Sequence, residues 1–199
     1  MELVISITLV SFVVLLLSMA MRSGLRAYER AKVLGERTLL VSSVINLLDR
    51  QLAMVVSGKN AHTKSFVRFE GDEHTILFTT TASPNGAGGG GVIMAYYKYD
   101  QDKEGLIYCQ KILTRRQDMG ERPPDEITQE SIDEERENGW DCTIVEGMDE
   151  VAFRFTGNGA DQDIESWNDR WATEKKLPFA VGIRIKDGWI PFLLSEAVN

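Results

Sequence analysis

The chain has 199 residues, 43% of them hydrophobic, and a formal net charge of −8 at pH 7. This acidic balance argues against a nucleic-acid partner and against a polybasic lipid-binding surface, because both need stripes of lysine and arginine. Once a single membrane-length segment is set aside, enough apolar residues remain for one globular domain of ordinary size. No motif in the chain calls for a cofactor.

The first element is an apolar run, Leu3 to Met21, which carries no charge over about 19 residues. A helix of that length rises roughly 28 Å, close to the ~30 Å hydrocarbon core of a bilayer. Residues 1–22 are therefore predicted to span a membrane, and no basic segment precedes them as in a cleaved secretory signal. Four hydroxyl residues are expected to bond back to their own helix: Ser6, Thr8, Ser11 and Ser18.

One carboxylate, Glu2, stands at the start of this run. An unpaired carboxylate in hydrocarbon is strongly unfavourable, so Glu2 must lie among lipid headgroups or meet a cation. From the residues alone both alternatives stay open.

Residues 23–57 predict an amphipathic continuation of the same helix, ending near Val56 and stopped by Ser57-Gly58. Its apolar residues follow helical spacing and form one stripe that a sheet or another helix must cover. The stripe consists of Val41, Ile45, Leu48, Leu52 and Val55.

The orientation in the membrane is ambiguous from these residues. Four cations follow the apolar run with only Glu29 among them: Arg22, Arg26, Arg30 and Lys32. The positive-inside tendency would leave the C-terminal domain in the cytoplasm. Basic residues upstream of the present start would reverse that orientation.

Beyond the helix the periodicity changes to that of strands, and residues 58–199 predict an antiparallel β domain. It has a Gly-rich loop at 85–91 and an acidic loop at 115–141, in which Ser131-x-x-Glu134 is expected to cap one short helix. Asp187-Gly188 predicts a hairpin turn. The predicted strands are Ser65–Glu70, Thr75–Thr81, Val92–Tyr99, Leu106–Leu113, Cys142–Val145, Val151–Thr156, Phe179–Lys186 and Trp189–Leu194. The predicted fold class is α+β, a long N-terminal helix packed on one or two antiparallel sheets.

The chain offers little catalytic chemistry. No Ser/His or Cys/His pair has a supporting acid at a recognisable motif, so we expect no enzyme. No metal site is predicted, although incidental cation binding is the alternative for one acidic cluster. That cluster is Asp161, Asp163 and Glu165.

Two further residue pairs are singled out. Trp167 and Trp171, four residues apart, are expected to share a helix face and to serve as core anchors. Cys109 and Cys142 are too few for a zinc site without help. They either remain free and buried or form one disulfide in an oxidising compartment, depending on topology.

The segment Glu2–Leu9 resembles the mature N-terminus of type IV pilin-like proteins. Further segments sharpen this into a resemblance to the J-class minor pseudopilins of type II secretion: Gly24–Arg30, Leu48–Leu52, Val151–Phe155, Trp167–Trp171 and Leu177–Val181. The resemblance covers about the first 55 and the last 50 residues. The family's leader and its Gly-Phe cleavage junction are not in this sequence, so a prepilin peptidase is an expected partner only if a leader exists.

The resemblance implies a pilin-like fold and a structural role at the tip of a secretion pseudopilus, promoting protein export across the outer membrane. It implies a single-pass protein of the bacterial inner membrane with a cytoplasmic N-terminus and a periplasmic domain. Its partners would be membrane lipid before assembly and then other minor pseudopilins, contacted through N-terminal helices and globular domains. Glu2 would be the assembly carboxylate. The alternatives are a minor pilin of a type IV pilus, in assembly, adhesion or DNA uptake, and a lone membrane-anchored binding domain.

Overall fold

The fold is that of a computed structural model, which describes residues 2–57, 66–83, 91–123, 127–128, 131–148, 150–158, 163–172, 176–186 and 188–194. The chain divides into two compact units, Met1–Ser43 and Val44–Asn199. Its class is α+β, with a long apolar N-terminal helix and two antiparallel sheets.

Helix α1 spans Glu2–Ala53 and ends three residues before the predicted Val56. The cause is pairing with the sheet, since Val55 leaves the helix to form an antiparallel bridge with Thr80. The Thr80 hydroxyl lies 2.8 Å from the carbonyl oxygen of Gln51 and donates to it. The sheet thus satisfies a carbonyl that the end of a helix leaves without an intrahelical partner.

All neighbouring strands are antiparallel, as predicted. The first sheet has the order β1-β2-β3-β4-β5, with β1 Phe69–Gly71, β2 Thr75–Thr80, β3 Val92–Asp100, β4 Gly105–Leu113 and β5 Asp141–Glu146. The second has the order β6-β7-β8, with β6 Val151–Thr156, β7 Ala180–Ile185 and β8 Gly188–Leu193.

Strand β1 departs most from its prediction, because Phe69–Gly71 replaces Ser65–Glu70. Before Phe69, hydrogen bonds to the Thr79 side chain replace part of the backbone pairing expected between strands. The Thr79 hydroxyl accepts from the backbone N–H of Arg68 and lies 2.6 Å from the carbonyl oxygen of Phe66. Regular pairing therefore begins only at Phe69.

The acidic loop contains the expected short helix, α2, over Ile132–Glu137. The predicted cap is wrong, because Ser131 is itself helical in backbone conformation and its hydroxyl accepts from the backbone N–H of Thr128. Within the described residues of the second unit, 3₁₀ helices span Arg116–Gly120 and Ile164–Ser166. The Gly-rich loop at 85–91 lies, except for exposed Gly91, outside the described residues.

The β7–β8 hairpin turns one residue earlier than predicted. Gly188 already belongs to β8 and pairs with Ile185. Lys186 takes the left-handed conformation, with φ of 57°. Asp187 lies outside the described residues.

One part of the core of the second unit lies where the two sheets meet, and another joins the first sheet to the acidic loop through Met94, Ile107, Ile127 and Trp140. The rings of Phe69 and Phe155 pack edge to face at 6.1 Å and link β1 to β6. A Cβ atom at Gly71 would overlap the Phe155 ring, so this contact requires glycine. The fully buried aromatic residues are Phe69, Phe78, Tyr97, Phe153 and Phe155.

Candidate functional site

The first part of α1 is apolar and exposed around its whole circumference. Between Ile5 and Met21, the exposed fraction of its large apolar side chains runs from 44% at Val13 to 69% at Met21. The stretch Ile5–Lys32 contains an 18-residue window with a mean hydropathy of 2.1, so it is long and apolar enough to cross a bilayer. Since soluble monomers rarely expose contiguous apolar patches beyond a few hundred Å², this helix is a candidate membrane anchor.

The hydroxyls of Thr8 and Ser11, in the apolar run, bond to their own helix as predicted. Thr8 Oγ1 donates to the Ile5 carbonyl oxygen and Ser11 Oγ to the Ile7 carbonyl oxygen, each at 2.8 Å. Both side chains are thereby satisfied without water, which suits a helix surrounded by lipid or by other helices.

Glu2 belongs to the first turn of α1. Its side chain lies outside the described part of the structure, so the assembly role of this carboxylate stays a prediction.

The end of α1 carries different chemistry, a fully buried glutamine. Gln51 is 0% exposed. Its Oε1 accepts from the Tyr97 hydroxyl at 2.6 Å, and its Nε2 donates to the Tyr108 hydroxyl at 2.9 Å and lies 3.4 Å from the Ala82 carbonyl oxygen. One side chain thus joins the helix to two adjacent strands, β3 and β4.

The tyrosine hydroxyls of this network are held in their neutral form. Burial raises the pKa of Tyr97 well above its ordinary 10.0. Burial, partly offset by the hydrogen bond from Gln51, raises the pKa of Tyr108 to about 12. Both hydroxyls therefore remain protonated, and able to donate, throughout the neutral range.

Sequence reasoning missed Gln51 as part of this contact. Of the predicted stripe, Leu48, Leu52 and Val55 are buried, whereas Val41 and Ile45 are only partly covered. A signal was present, because Gln51 follows Leu48 by three residues and precedes Val55 by four. That spacing puts it on the apolar face.

A second buried polar residue, Arg68, holds the acidic loop. Its Nε donates to Glu70 Oε1 at 2.8 Å, and its Nη1 donates to the carbonyl oxygens of Met119 and Glu121. The guanidinium thus fastens the end of the 3₁₀ helix to the residue before β1.

Cys109 and Cys142 form a disulfide. They face each other in the register of β4 and β5, with Cα atoms 4.1 Å apart, and both are buried. The bond ties the two ends of the acidic loop together.

The tryptophans do not share a helix face, and that prediction is wrong. Trp167 follows the 3₁₀ helix in an extended conformation and packs against Gly182. Trp171 forms an antiparallel bridge with Gly71, in which each backbone nitrogen lies 2.9 Å from the carbonyl oxygen of the other residue. Pairing with β1 therefore replaces the helix. Trp167 is buried and Trp171 is half-buried.

The acidic cluster gives no metal centre within the described part of the chain. Asp163 accepts from the backbone N–H of Glu165 and so starts the 3₁₀ helix. Asp161 lies outside the described residues. Among the side chains that are described, no group of three His, Cys, Asp or Glu could hold an ion.

Neither a scan against protein-family models nor a search of curated proteins finds a match to this chain.

Proposed function

We propose that this protein is a structural subunit of a pilin-like fibre, a minor pseudopilin of a type II secretion pseudopilus. The observation that carries the proposal is α1, a single helix of 52 residues. Its first part is apolar and exposed. Its last turns pack into the second unit, which holds both sheets, through Gln51 and the buried Leu48 and Leu52. A catalytic role is not part of the proposal.

An apolar helix that is exposed on every side requires a cover, and two covers are consistent with its chemistry. Before assembly, bilayer lipid would surround it. In a fibre, the helices of neighbouring minor pseudopilins would take the place of lipid, with further contacts between globular domains. The self-satisfied hydroxyls of Thr8 and Ser11 are compatible with both states.

Glu2 would fix the register between neighbouring helices. A carboxylate drawn into an apolar fibre core is tolerated only beside a cation, and the α-amino group of an adjacent subunit is the nearest candidate. A lone buried charge is strongly unfavourable, whereas a pair is satisfied and specifies one axial offset.

The disulfide supports an orientation. Disulfides persist in oxidising compartments and are rare in the cytosol. The Cys109–Cys142 bond is therefore consistent with a periplasmic β unit, and hence with an inner-membrane helix whose N-terminus faces the cytoplasm. A position at the tip of the pseudopilus follows from the J-class resemblance.

The test is recovery of partners from native cells. Tagged full-length chains, wild type, Glu2→Ala and Glu29→Ala, are expressed in the source bacterium, extracted in mild detergent and analysed by mass spectrometry. Glu29 is an exposed carboxylate of the same helix outside the apolar run, which makes it the matched control. We expect wild type and Glu29→Ala to recover proteins with pilin-like N-terminal helices, and Glu2→Ala to recover several-fold less.

Equal recovery by all three chains would remove the assembly role of Glu2. Recovery of no helix-bearing partner by wild type would favour a lone membrane-anchored domain. Loss of surface pili, rather than of extracellular proteins, on deletion of the gene would favour a type IV pilus. Membrane extraction and near-ultraviolet circular dichroism check that each variant inserts and folds.

A further inference from the structure

The first unit carries a second feature besides its apolar surface, a stripe of arginines. Arg22, Arg26 and Arg30 are exposed on α1 at four-residue spacing, so they lie along one helix face. In the segment 22–32, four cations less one anion, Glu29, give a local charge of +3 within a chain of net charge −8. The negative net charge of the whole chain argued against a basic lipid-binding surface, because a whole-chain total does not register a local cationic stripe.

The arginine stripe continues an apolar groove on the same helix. One shallow groove is lined by Val10, Ser11, Val14, Leu15, Ser18, Met19 and Arg22. The next is lined by Met19, Arg22, Ser23, Arg26, Ala27 and Arg30. Because the two share Met19 and Arg22, one path leads from apolar to cationic side chains.

The axial spacing of the arginines places the first two within reach of one headgroup layer. Arg22 directly follows the apolar run, and Arg26 and Arg30 lie about 6 and 12 Å farther along the axis. The headgroup layer is roughly 5–8 Å deep on each side of a bilayer. Arginine side chains can also extend back toward the interface. With Arg22 at the edge of the hydrocarbon, Arg26 would fall within this layer, and Arg30, roughly 4–7 Å beyond it, would reach it through its long side chain.

We infer that this groove binds an anionic phospholipid, with its phosphate at Arg22, Arg26 and Arg30 and one acyl chain along Val10–Met19. An amphiphile fits a path that changes from apolar to cationic, whereas a second apolar helix would leave the arginines uncompensated. Guanidinium groups also match phosphate oxygens in a bidentate geometry. Anionic lipid would hold the helix at the interface in either leaflet, and this inference does not depend on fibre assembly.

The experiment measures which lipids the full chain retains. The chain is placed in nanodiscs made from equal amounts of phosphatidylglycerol and phosphatidylcholine, extracted in mild detergent, and its bound lipids are quantified by mass spectrometry. Each basic residue near an anionic surface favours binding by about fivefold. We expect wild type to retain phosphatidylglycerol preferentially, and Arg22→Gln/Arg26→Gln/Arg30→Gln to lower that preference by at least about tenfold.

Two controls separate the groove from general effects. The variant Arg115→Gln/Arg116→Gln/Arg170→Gln removes the same charge from exposed positions of the folded unit and should retain lipid like wild type. Ser18→Leu fills the apolar groove without changing charge and should weaken retention. Ala20→Leu, at an exposed position of the same helix that lines neither groove, should not.

Several results would overturn the inference. They are retention by wild type in the proportion present in the disc, equal loss in both arginine variants, or no difference between Ser18→Leu and Ala20→Leu. A native mass showing two chains and no retained lipid would assign the groove to a second helix instead.

Discussion

The two ends of α1 are built from opposite kinds of surface. Over Ile5–Met21 the helix is apolar and exposed, and its large side chains offer contact area rather than a buried polar network. Over Val44–Ala53, buried Leu48 and Leu52 supply apolar contact, and Gln51 adds three polar contacts with defined geometry. Apolar area can be covered by lipid or by other helices, whereas a buried polar network accepts only one arrangement. The first end therefore suits exchange of neighbours, and the second suits permanent attachment.

The largest expected effect comes from removing apolar contact at the attached end. Leu48 is 3% exposed, so Leu48→Ala should destabilise the folded unit by about 2–5 kcal/mol through lost burial and a cavity. Leu39, on the same helix and 69% exposed, is the control, and Leu39→Ala should change stability by less than about 0.5 kcal/mol. Denaturant unfolding of the full chain in non-ionic detergent, followed by near-ultraviolet circular dichroism, measures both. Equal unfolding midpoints for the two variants would contradict the claim that only the attached end of α1 contributes apolar burial to the folded unit.

Removing the disulfide tests how much of the stability of the second unit depends on closure of the acidic loop. Its cysteines are 33 residues apart, so replacing both by alanine should lower the free energy of unfolding by about 3–4 kcal/mol. Wild type unfolded with a reducing agent should approach the double variant. An unchanged midpoint, or two free thiols found by labelling the unreduced protein, would contradict the bond.

The buried glutamine should behave differently from a leucine. Gln51→Leu removes the acceptor of the Tyr97 hydroxyl and the donor to the Tyr108 hydroxyl, which still donates to Gln110. It should destabilise the unit by about 1–3 kcal/mol, mainly through the unpaired Tyr97 hydroxyl. Adding Tyr97→Phe and Tyr108→Phe removes both hydroxyls and should recover much of that loss. If the triple variant is no more stable than Gln51→Leu, the network is not what joins the helix to the sheet.

The smallest expected effect is confined to alkaline pH. The folded-state pKa values of Tyr97 and Tyr108 lie above 10.0, so the stability that they confer is complete below pH 10. It should fall as pH rises through the folded values, about 12 for Tyr108. Tyrosinate absorbance against pH, compared between wild type and Tyr97→Phe/Tyr108→Phe, isolates the ionisation of these two groups. Their ionisation near pH 10 without loss of stability would contradict their burial.

Local patterns predicted most of the fold, because strand alternation and helical spacing are properties of neighbouring residues. The helix, the eight strands and the short helix in the acidic loop all follow from such patterns. The pairing of Cys109 with Cys142 was left conditional, since it depends on which strands are adjacent.

The misses depend on contacts that are distant in sequence. Trp171 is extended because its backbone pairs with Gly71, and a four-residue spacing carries no information about that partner. Gln51 is buried because Tyr97 and Tyr108 lie opposite it, on strands that spacing alone could not bring to the helix. The exposed end of α1 was predicted from composition, since its apolar surface needs no long-range partner within the chain.

Assembly through α1 depends on what covers its exposed end in cells. Phe12 is 63% exposed in the apolar run, and Ile112, 66% exposed on β4, is the control position. With the photo-crosslinker p-benzoylphenylalanine at either position, illuminated cells are analysed for crosslinked proteins. The account predicts that position 12 crosslinks to proteins carrying a similar N-terminal helix, and that Glu2→Ala reduces those products. Crosslinks from position 12 to lipid alone, with and without Glu2, would contradict assembly through this helix.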